Sequence, residues 1–416
     1  MFKKIAALVM AIAMVCTMAT LFTGCGADPN FKIGVILIGD ETEGYSLAHI
    51  NGIKAAAKEL GLKDSQIIWK YKIGEDSAAL DAAIDLVGQG CSVVVSNSYG
   101  HQAFTAQAAE QFPEVTFLAM TGDFAGISGL PNLKNAFTAV YESRYVSGVV
   151  AGMKVKELLE SGELSASTQP DSFDKDGNVK IGYVGAYAFA EVISGYTAFY
   201  LGVRSIVPNV VMEVNYTNSW SDVGMEAAAA EALIANGAVI IGQHADTTGA
   251  PSATQKLQNS GKICYSIGYN IDMLETAPTA ALTSATNVWE KYYTYAFETV
   301  MKGGDVDADW AKGYSADAVA ITELGASCAA GTAEKVAEVE AALKDGSLHV
   351  FDTSTFTVGG KPLTSVPVDL SFIDFSTGNV IYQGETVEAI VDGYFAESTF
   401  RAAPYFNVVI DGITAK

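Results

Sequence analysis

From Phe31 onward the chain alternates short, continuous apolar runs with longer stretches whose apolar residues recur at helical spacing. Lys32-Ile-Gly-Val-Ile-Leu-Ile38 predicts a buried strand, and Ser46 to Leu60 an amphipathic helix stopped by Gly61. Strands follow over 67–71, 92–96 and 116–120, with helices over 78–87 and 101–111 between them. Apolar runs without polar alternation belong to strands covered on both faces, so the pattern predicts a parallel sheet flanked by helices. The same alternation restarts at Val179 and runs through helix 190–206, strand 210–216, helix 222–236, strand 238–243, helix 251–260 and strand 262–267. Two similar α/β units result.

Between the units, Ser161 to Asn178 is rich in Ser, Asp and Gly and reads as a surface loop. Its Asp174-Lys-Asp176-Gly177 core imitates a calcium loop. The twelfth position, where such a loop carries a bidentate Glu, is Tyr183, so a solvated turn is the reading here. Helices over 289–301 and 333–343 precede a turn-broken β-rich tail from His349, expected to cover the first unit or the hinge. The expected division is a signal peptide over 1–24, the first part of lobe 1 over 25–140, lobe 2 over 141–282, and a return to lobe 1 with a C-terminal extension over 283–416.

The N-terminus changes the picture by giving an address. Lys3 and Lys4 precede an apolar run to Phe22 and then Thr23-Gly24-Cys25, the layout of an export signal with a small-residue cleavage site. Gly24-Cys25-Gly26 resembles a bacterial lipobox, which implies that Cys25 is acylated and anchors the mature chain to the outer face of the cell membrane. Of the remaining cysteines, Cys91 and Cys264 head apolar runs, and with Cys328 they form an odd, widely spaced trio. That makes small core residues a better reading than disulfides.

Composition then narrows the chemistry. The 416 residues hold 47 Asp+Glu against 25 Lys+Arg, a formal charge of −22, and only three arginines (Arg144, Arg204, Arg401). Such a surface repels phosphate backbones, so nucleic acid is not an expected partner. No phosphate-binding loop, zinc-ligand spacing, Cys pair or nucleophile elbow is present, and neither a cofactor nor a metal is expected. Arg144, beside Glu142, reads as a helix-surface or hinge ion pair, while His49 and His101 read as ordinary helix residues.

What the chain carries instead is a set of rings and polar groups where predicted parallel strands end, the edge at which open α/β sheets bind ligands. In the first unit these are Tyr45, then Asn97-Ser98-Tyr99, then Thr121-Gly122. In the second they are Phe189 with Glu191, Trp220, His244 with Asp246, and Tyr269. A ring stacked on a planar heterocycle contributes about 1–3 kcal/mol without choosing among bases, so choice falls to groups such as Asp246, Glu191 or Asn97. Trp220 and Tyr99 have core packing at a strand terminus as their alternative role.

Several segments in order resemble the basic membrane protein (BMP) family of lipoprotein solute-binding components of ABC transporters, in its purine nucleobase and nucleoside branch. They are Phe117 to Gly122, Tyr141 to Gly152, Glu191 to Phe199, Asn218-Ser-Trp-Ser-Asp222, Gln243-His-Ala-Asp246 and Leu282 to Trp289. The resemblance implies a type I periplasmic-binding-protein fold, two Rossmann-like lobes with parallel sheets joined by a hinge. It also implies a permease as partner. By the same resemblance, Trp220 and Tyr45 or Tyr99 supply ring contacts, Glu191 and Asp246 polar ones, Thr121-Gly122 a backbone approach, and Trp289 a place near the returning hinge. Ala190 stands where the branch carries Pro, and Thr247-Thr248-Gly249 replaces its Ser-Pro. Other readings of the residues are a sugar-binding protein, an exported hydrolase using Glu191 and Asp246 as paired carboxylates, and a structural lipoprotein.

Overall fold

The computed structural model describes residues 29–373 and 378–416. The expected leader over 1–24 and the expected acylation site Cys25 lie outside the described residues. Lobe 1 is built from β1 (Ile33–Ile36), β2 (Ile67–Lys70), β3 (Val93–Ser96), β4 (Thr116–Met120) and β5 (Leu133–Ala136), linked by α1 (Gly44–Glu59), α2 (Ser77–Gly88) and α3 (Gln102–Gln111). These strands are parallel in the order β2-β1-β3-β4-β5. Every residue of β1 and β3 is buried, as their unbroken apolar sequence requires between two helix layers. The strand order reverses between β1 and β3, so the loops leaving those two strands diverge and open a crevice.

Lobe 2 repeats the scheme. It contains α4 (Val140–Glu160), β6 (Val179–Gly185), α5 (Ala190–Ile206), β7 (Val210–Tyr216), α6 (Val223–Ala235), β8 (Ile240–His244), α7 (Gly249–Asn259), β9 (Tyr265–Tyr269) and β10 (Ala281–Asn287). Its parallel order is β7-β6-β8-β9-β10, reversing between β6 and β8. Helix α4 is apolar or small on nearly every side, which hides its period in the sequence. It packs backbone to backbone on α5: a Cβ at Gly148 would stand 2.1 Å from the Phe199 carbonyl oxygen, and one at Gly202 2.1 Å from that of Tyr145. Any side chain at either position would force the helices apart.

The chain crosses between lobes three times. After β10 it returns to lobe 1 as α8 (Trp289–Met301) and β11 (Asp309–Trp310), which pairs with β5, then crosses back to β12 (Val319–Ile321), antiparallel to β10. The expected boundary at 282 falls inside β10, whose residues to Asn287 belong to the second sheet. The crossings are bonded side by side: Phe137 N donates to Trp310 O at 3.0 Å, Ala139 N to Lys312 O at 2.9 Å, and Val288 N to Ala318 O at 2.8 Å. A hinge of this kind lets the lobes rotate while their sheets stay intact.

The tail covers the hinge only in part: Ala402 and Ala403 pack with Phe137 and Val140, while most of it lies elsewhere. Helix α9 (Thr332–Lys344) and the rings Phe351, Phe356, Phe395 and Phe406 join the core of lobe 2, not lobe 1. The C-terminal strand Ile413–Ala415 pairs in parallel with β7 and covers its open edge. Only an arm reaches lobe 1, where Phe372 and Tyr382 pack on Phe124 at 4.4 and 4.8 Å between centroids and Arg401 pairs with Asp123 at 3.6 Å. The apolar faces of α4 and α5 left open by the lobe 2 sheet explain this docking. Cys91 and Cys264 are buried in the lobe cores and Cys328 is half-buried, all three free. In the 161–178 insert, the Asp174 carboxylate is taken up by its own turn, accepting from Asp176 N at 2.9 Å and Asn178 N at 2.8 Å.

Candidate functional site

The crevices of the two lobes face each other. On lobe 1, the Glu43 carboxylate caps α1 by accepting from Tyr45 N at 2.7 Å and Ser46 N at 2.8 Å, which fixes Gly44 and Tyr45 at the rim. The Tyr45 hydroxyl donates to the Asn97 carbonyl and lies 3.3 Å from Thr121 Oγ1, so β3 and β4 hold the ring in place. Behind it, Tyr45 meets His49 edge-on at 4.6 Å, and His49 stacks on Trp289 at 4.5 Å. Trp289 is therefore a buried wedge at the start of α8 and touches the site only through His49 and Tyr45.

Other lobe 1 candidates are spent inside the protein. The Asn97 amide is fully buried, accepting from Ile38 N at 2.9 Å and donating to Ser46 Oγ at 3.2 Å, which ties β1 and β3 to α1. Its side chain is scaffold where the sequence suggests a reader of a base edge. Ser98 gives its hydroxyl to Glu75. Tyr99 donates to Asp123 at 3.1 Å, and Asp123 faces Arg401 of the tail, so this ring belongs to the tail's docking point. Gly122 is buried against Gln102, while Thr121 turns through a left-handed conformation (φ 58°) at the end of β4.

Lobe 2 brings its candidates together. Glu191, in the first turn of α5, stands 3.2 Å from His244 Nε2 at the end of β8. The His244 ring lies 4.8 Å from Tyr269 and 6.2 Å from Trp220. Asp246 N donates to the Trp220 carbonyl at 2.8 Å, joining two loops, and Asp246 Oδ1 accepts from Asn270 at 3.0 Å. Asn270 in turn accepts from Asn287 at 3.1 Å, and Asn287 accepts from Thr138 in a hinge strand. This chain of side chains connects the cleft carboxylate to the hinge. Trp220 is half-buried, leaning on Tyr187 and on Phe189, which is 54% exposed at the rim.

Sequence reasoning misplaces Arg144. It is 1% exposed, donates from Nη1 to the Gln243 carbonyl at 2.5 Å and lies 3.7 Å over the Tyr269 ring, while Glu142 instead accepts from Tyr314 N at 2.6 Å. The available signal is its position in line with Val140, Ser147 and Ala151 on the buried face of α4. Asn287 is also missed, because a lone amide at a strand end carries no pattern.

Burial dominates the electrostatics. It pushes the Glu191 carboxyl up to about 7, with Arg144 pulling the other way. It holds Asp246 well above the carboxylate range, reinforced by Glu43, Glu191 and Glu226 and opposed by Arg144. His244 is held well below its ordinary value by burial and then by Arg144, so its contact with Glu191 is a hydrogen bond from a neutral ring and not an ion pair. The lobes touch across the cleft: Gly44 N donates to Asp246 O at 3.1 Å, which makes this a closed arrangement.

These shifts have a consequence for stability. Four carboxyls, Glu142, Glu191, Glu226 and Glu397, are pushed up to about 7 by burial. Unfolded, they titrate at roughly 4.3, so near neutrality the native state holds more protons and loses stability as pH rises. The depressed His49, His101 and His244 act oppositely, but only up to about pH 6.5, where unfolded imidazoles lose their protons. The melting temperature of the ligand-free protein is expected to fall between about pH 6.5 and 8 in scanning calorimetry. A profile that rises across that range would mean these carboxyls are hydrated.

Two doubly wound lobes, three hinge crossings and a ring-and-carboxylate cleft define a hinged solute-binding protein. Residues 37–345 match the family of ABC transporter substrate-binding proteins described as PnrA-like, and the chain belongs to that family. Helix α9 ends this matched region, so most of the tail lies beyond it. The chain is 29% identical over 278 residues to a purine-binding protein of Brucella abortus (strain 2308), spanning 67% of this chain and 71% of that one. It is 26% identical over 318 residues to a candidate ABC transporter glucose-binding protein of Haloferax volcanii, spanning 75% and 72%. Among solved structures, an ABC transporter solute-binding protein from Conexibacter woesei DSM 14684 superposes with a TM-score of 0.61 at 18% identity, over 77% of this chain and 98% of that one. Its likeness is one of fold, the periplasmic-binding fold expected from the resemblance above.

Proposed function

We propose that the protein is the lipid-anchored, extracytoplasmic binding component of an ABC importer, capturing a purine nucleobase or nucleoside by lobe closure and passing it to a permease. The observation that carries this reading is the lobe 2 wall, where Trp220, His244 and Tyr269 stand beside Glu191 and Asp246, opposite Tyr45. Rings offer stacking faces to any planar heterocycle, and carboxylates favour an edge that brings N–H or O–H donors. The purine-binding relative from Brucella supports the same assignment. Closure follows because a solute that touches both walls binds the closed state better than the open one. No helix among the described residues is long and apolar enough to cross a membrane, and the Cys25 lipid is the anchor in this reading.

A sugar is the second reading, favoured by the Haloferax relative and by the suitability of Trp with Asp for carbohydrate. Mass spectrometry of the solute that co-purifies with the protein, followed by calorimetry with adenine, hypoxanthine, their nucleosides and glucose, decides between them. Heat from the purines alone is the expected result. Heat from glucose alone sinks the purine assignment, and conversion of a nucleoside to base and ribose would revive the hydrolase.

A further inference from the structure

The tail ties the two lobes together from outside the family-matched region. Its loop 397–406 is rooted in lobe 2, where the rings of Phe395, Tyr405 and Phe406 are part of the core. The loop holds its own shape. Buried Glu397 accepts from Tyr405 N at 2.7 Å and Phe406 N at 2.8 Å, and the Tyr405 hydroxyl accepts from Thr399 N at 3.2 Å and Phe400 N at 3.3 Å. Its tip is thereby delivered to lobe 1: Ala402 N donates to Asp309 Oδ2 of β11 at 2.8 Å, and Arg401 Nη1 stands 3.6 Å from Asp123 Oδ2 just past β4. Ala402 and Ala403 join Phe137 and Val140, at the first hinge crossing, and Tyr269 of the cleft wall in one buried cluster. Beside this joint, Phe372 of the tail packs on Phe124 at 4.4 Å.

We infer that loop 397–406 is a strap across the hinge: by joining lobe 2 to the cleft edge of lobe 1 it favours closure with or without solute, and so tightens the capture of whatever solute the cleft takes. This rests on the reading of the cleft as a binding site. The lobe 1 sheet runs in the order β1-β3-β4-β5-β11, from the crevice to the hinge. Asp309 adjoins Trp310, whose carbonyl makes the hinge bond to Phe137 N, and so lies close to the pivot. Asp123, two strands further toward the crevice, moves away from lobe 2 when the cleft opens, and its contact with Arg401 is then lost. The joint is also built to part. A cavity of about 160 Å³ remains between the loop and β11, lined among others by Asp307, Lys312, Thr399 and Arg401, so a few polar contacts hold the surfaces together where a packed core would not let them separate. A contact made in the closed arrangement shifts the lobes toward it, and apparent affinity rises with the closed fraction.

The test uses the full protein with Arg401→Ala and Phe372→Ala, singly and combined, and with Arg401→Lys and Asp123→Asn. The first readout needs no solute: small-angle X-ray scattering should give a larger radius of gyration for the combined variant than for the wild type, with the wild-type value kept in R401K. The second is calorimetry with adenine. Affinity is expected to fall about 2- to 10-fold in R401A and in D123N alike, to fall no further when both are changed, and to be kept in R401K. Because the strap does not touch the solute, hypoxanthine should lose affinity by the same factor as adenine. Equal solute-free radii in the wild type and the combined variant would overturn the inference. A larger radius with unchanged adenine affinity would overturn it too, by uncoupling the tail from capture. Should the combined variant not fold, R401A decides by the same two readouts. If adenine fails to bind the wild type, the purine reading falls, and the solute-free scattering still judges the strap.

Discussion

Trp220→Ala is expected to weaken purine binding about 5- to 150-fold, the equivalent of the roughly 1–3 kcal/mol that one ring–base stack contributes. The melting temperature of the ligand-free protein should change little. Trp220 is half-buried and packs on the lobe 2 core from its edge, and the bond that ties its loop to Asp246 is made by its backbone carbonyl, which alanine keeps. Its ring neighbours Tyr187, Phe189 and His244 lie 5.6, 6.3 and 6.2 Å away between centroids, so removing the indole opens the cleft wall without opening a closed core cavity. Calorimetry with adenine and thermal melts with and without it measure both effects. Trp220→Phe should recover most of the lost affinity, because a phenyl face still stacks. A drop in ligand-free melting as large as the loss of ligand stabilisation would assign Trp220 to the core.

The layout of the lobes is legible in the sequence because strand and helix periods are local properties. Runs such as Val93-Val-Val-Ser96 and Thr116 to Met120 declare a doubly covered sheet within a few residues, and the structure places strands there. Helix α4 shows no clean amphipathic period, since close contact with α5 asks for Gly148 and Gly152 where an amphipathic helix would show polarity. The short strand β11 owes its existence to pairing with β5 across some 170 residues of chain, which no local pattern reports. For the cleft, the strand-end rule brings together Glu191, Trp220, His244, Asp246 and Tyr269, which close or follow the parallel strands of lobe 2 at one edge of its sheet. It misdirects at Asn97, Ser98 and Tyr99, where scaffold hydrogen bonds and the tail claim the side chains. The tail itself takes its position from surfaces of α4 and α5 that exist only after folding.

The Gly44–Asp246 contact separates closure from chemistry, and Gly44→Val should expose it. Gly44 opens α1, and a Cβ there would lie 3.0 Å from the Asp246 carbonyl oxygen and 3.7 Å from Ile271 Cγ1, both on the opposite lobe. The atoms it meets first are backbone, which cannot swing aside. In the open state the same valine faces solvent at a helix N-terminus, where a branched residue is tolerated. Its cost, about 1–3 kcal/mol for overpacking of this kind, therefore falls on the closed state alone. Solute affinity drops by the same amount, about 5- to 150-fold, while every ring and carboxylate of the cleft is unchanged. Small-angle X-ray scattering at saturating adenine should report a larger radius for the variant than for the wild type, with equal radii in solute-free samples if the resting protein is open. Wild-type affinity in Gly44→Val together with a normally compact complex would mean that the solute-bound lobes meet elsewhere. The opposite pattern, loss of affinity with a normally compact complex, would move the effect of Gly44 from closure to the binding wall itself. Trp220→Ala supplies the reference for that case, because it removes a binding surface and leaves the lobe contact intact.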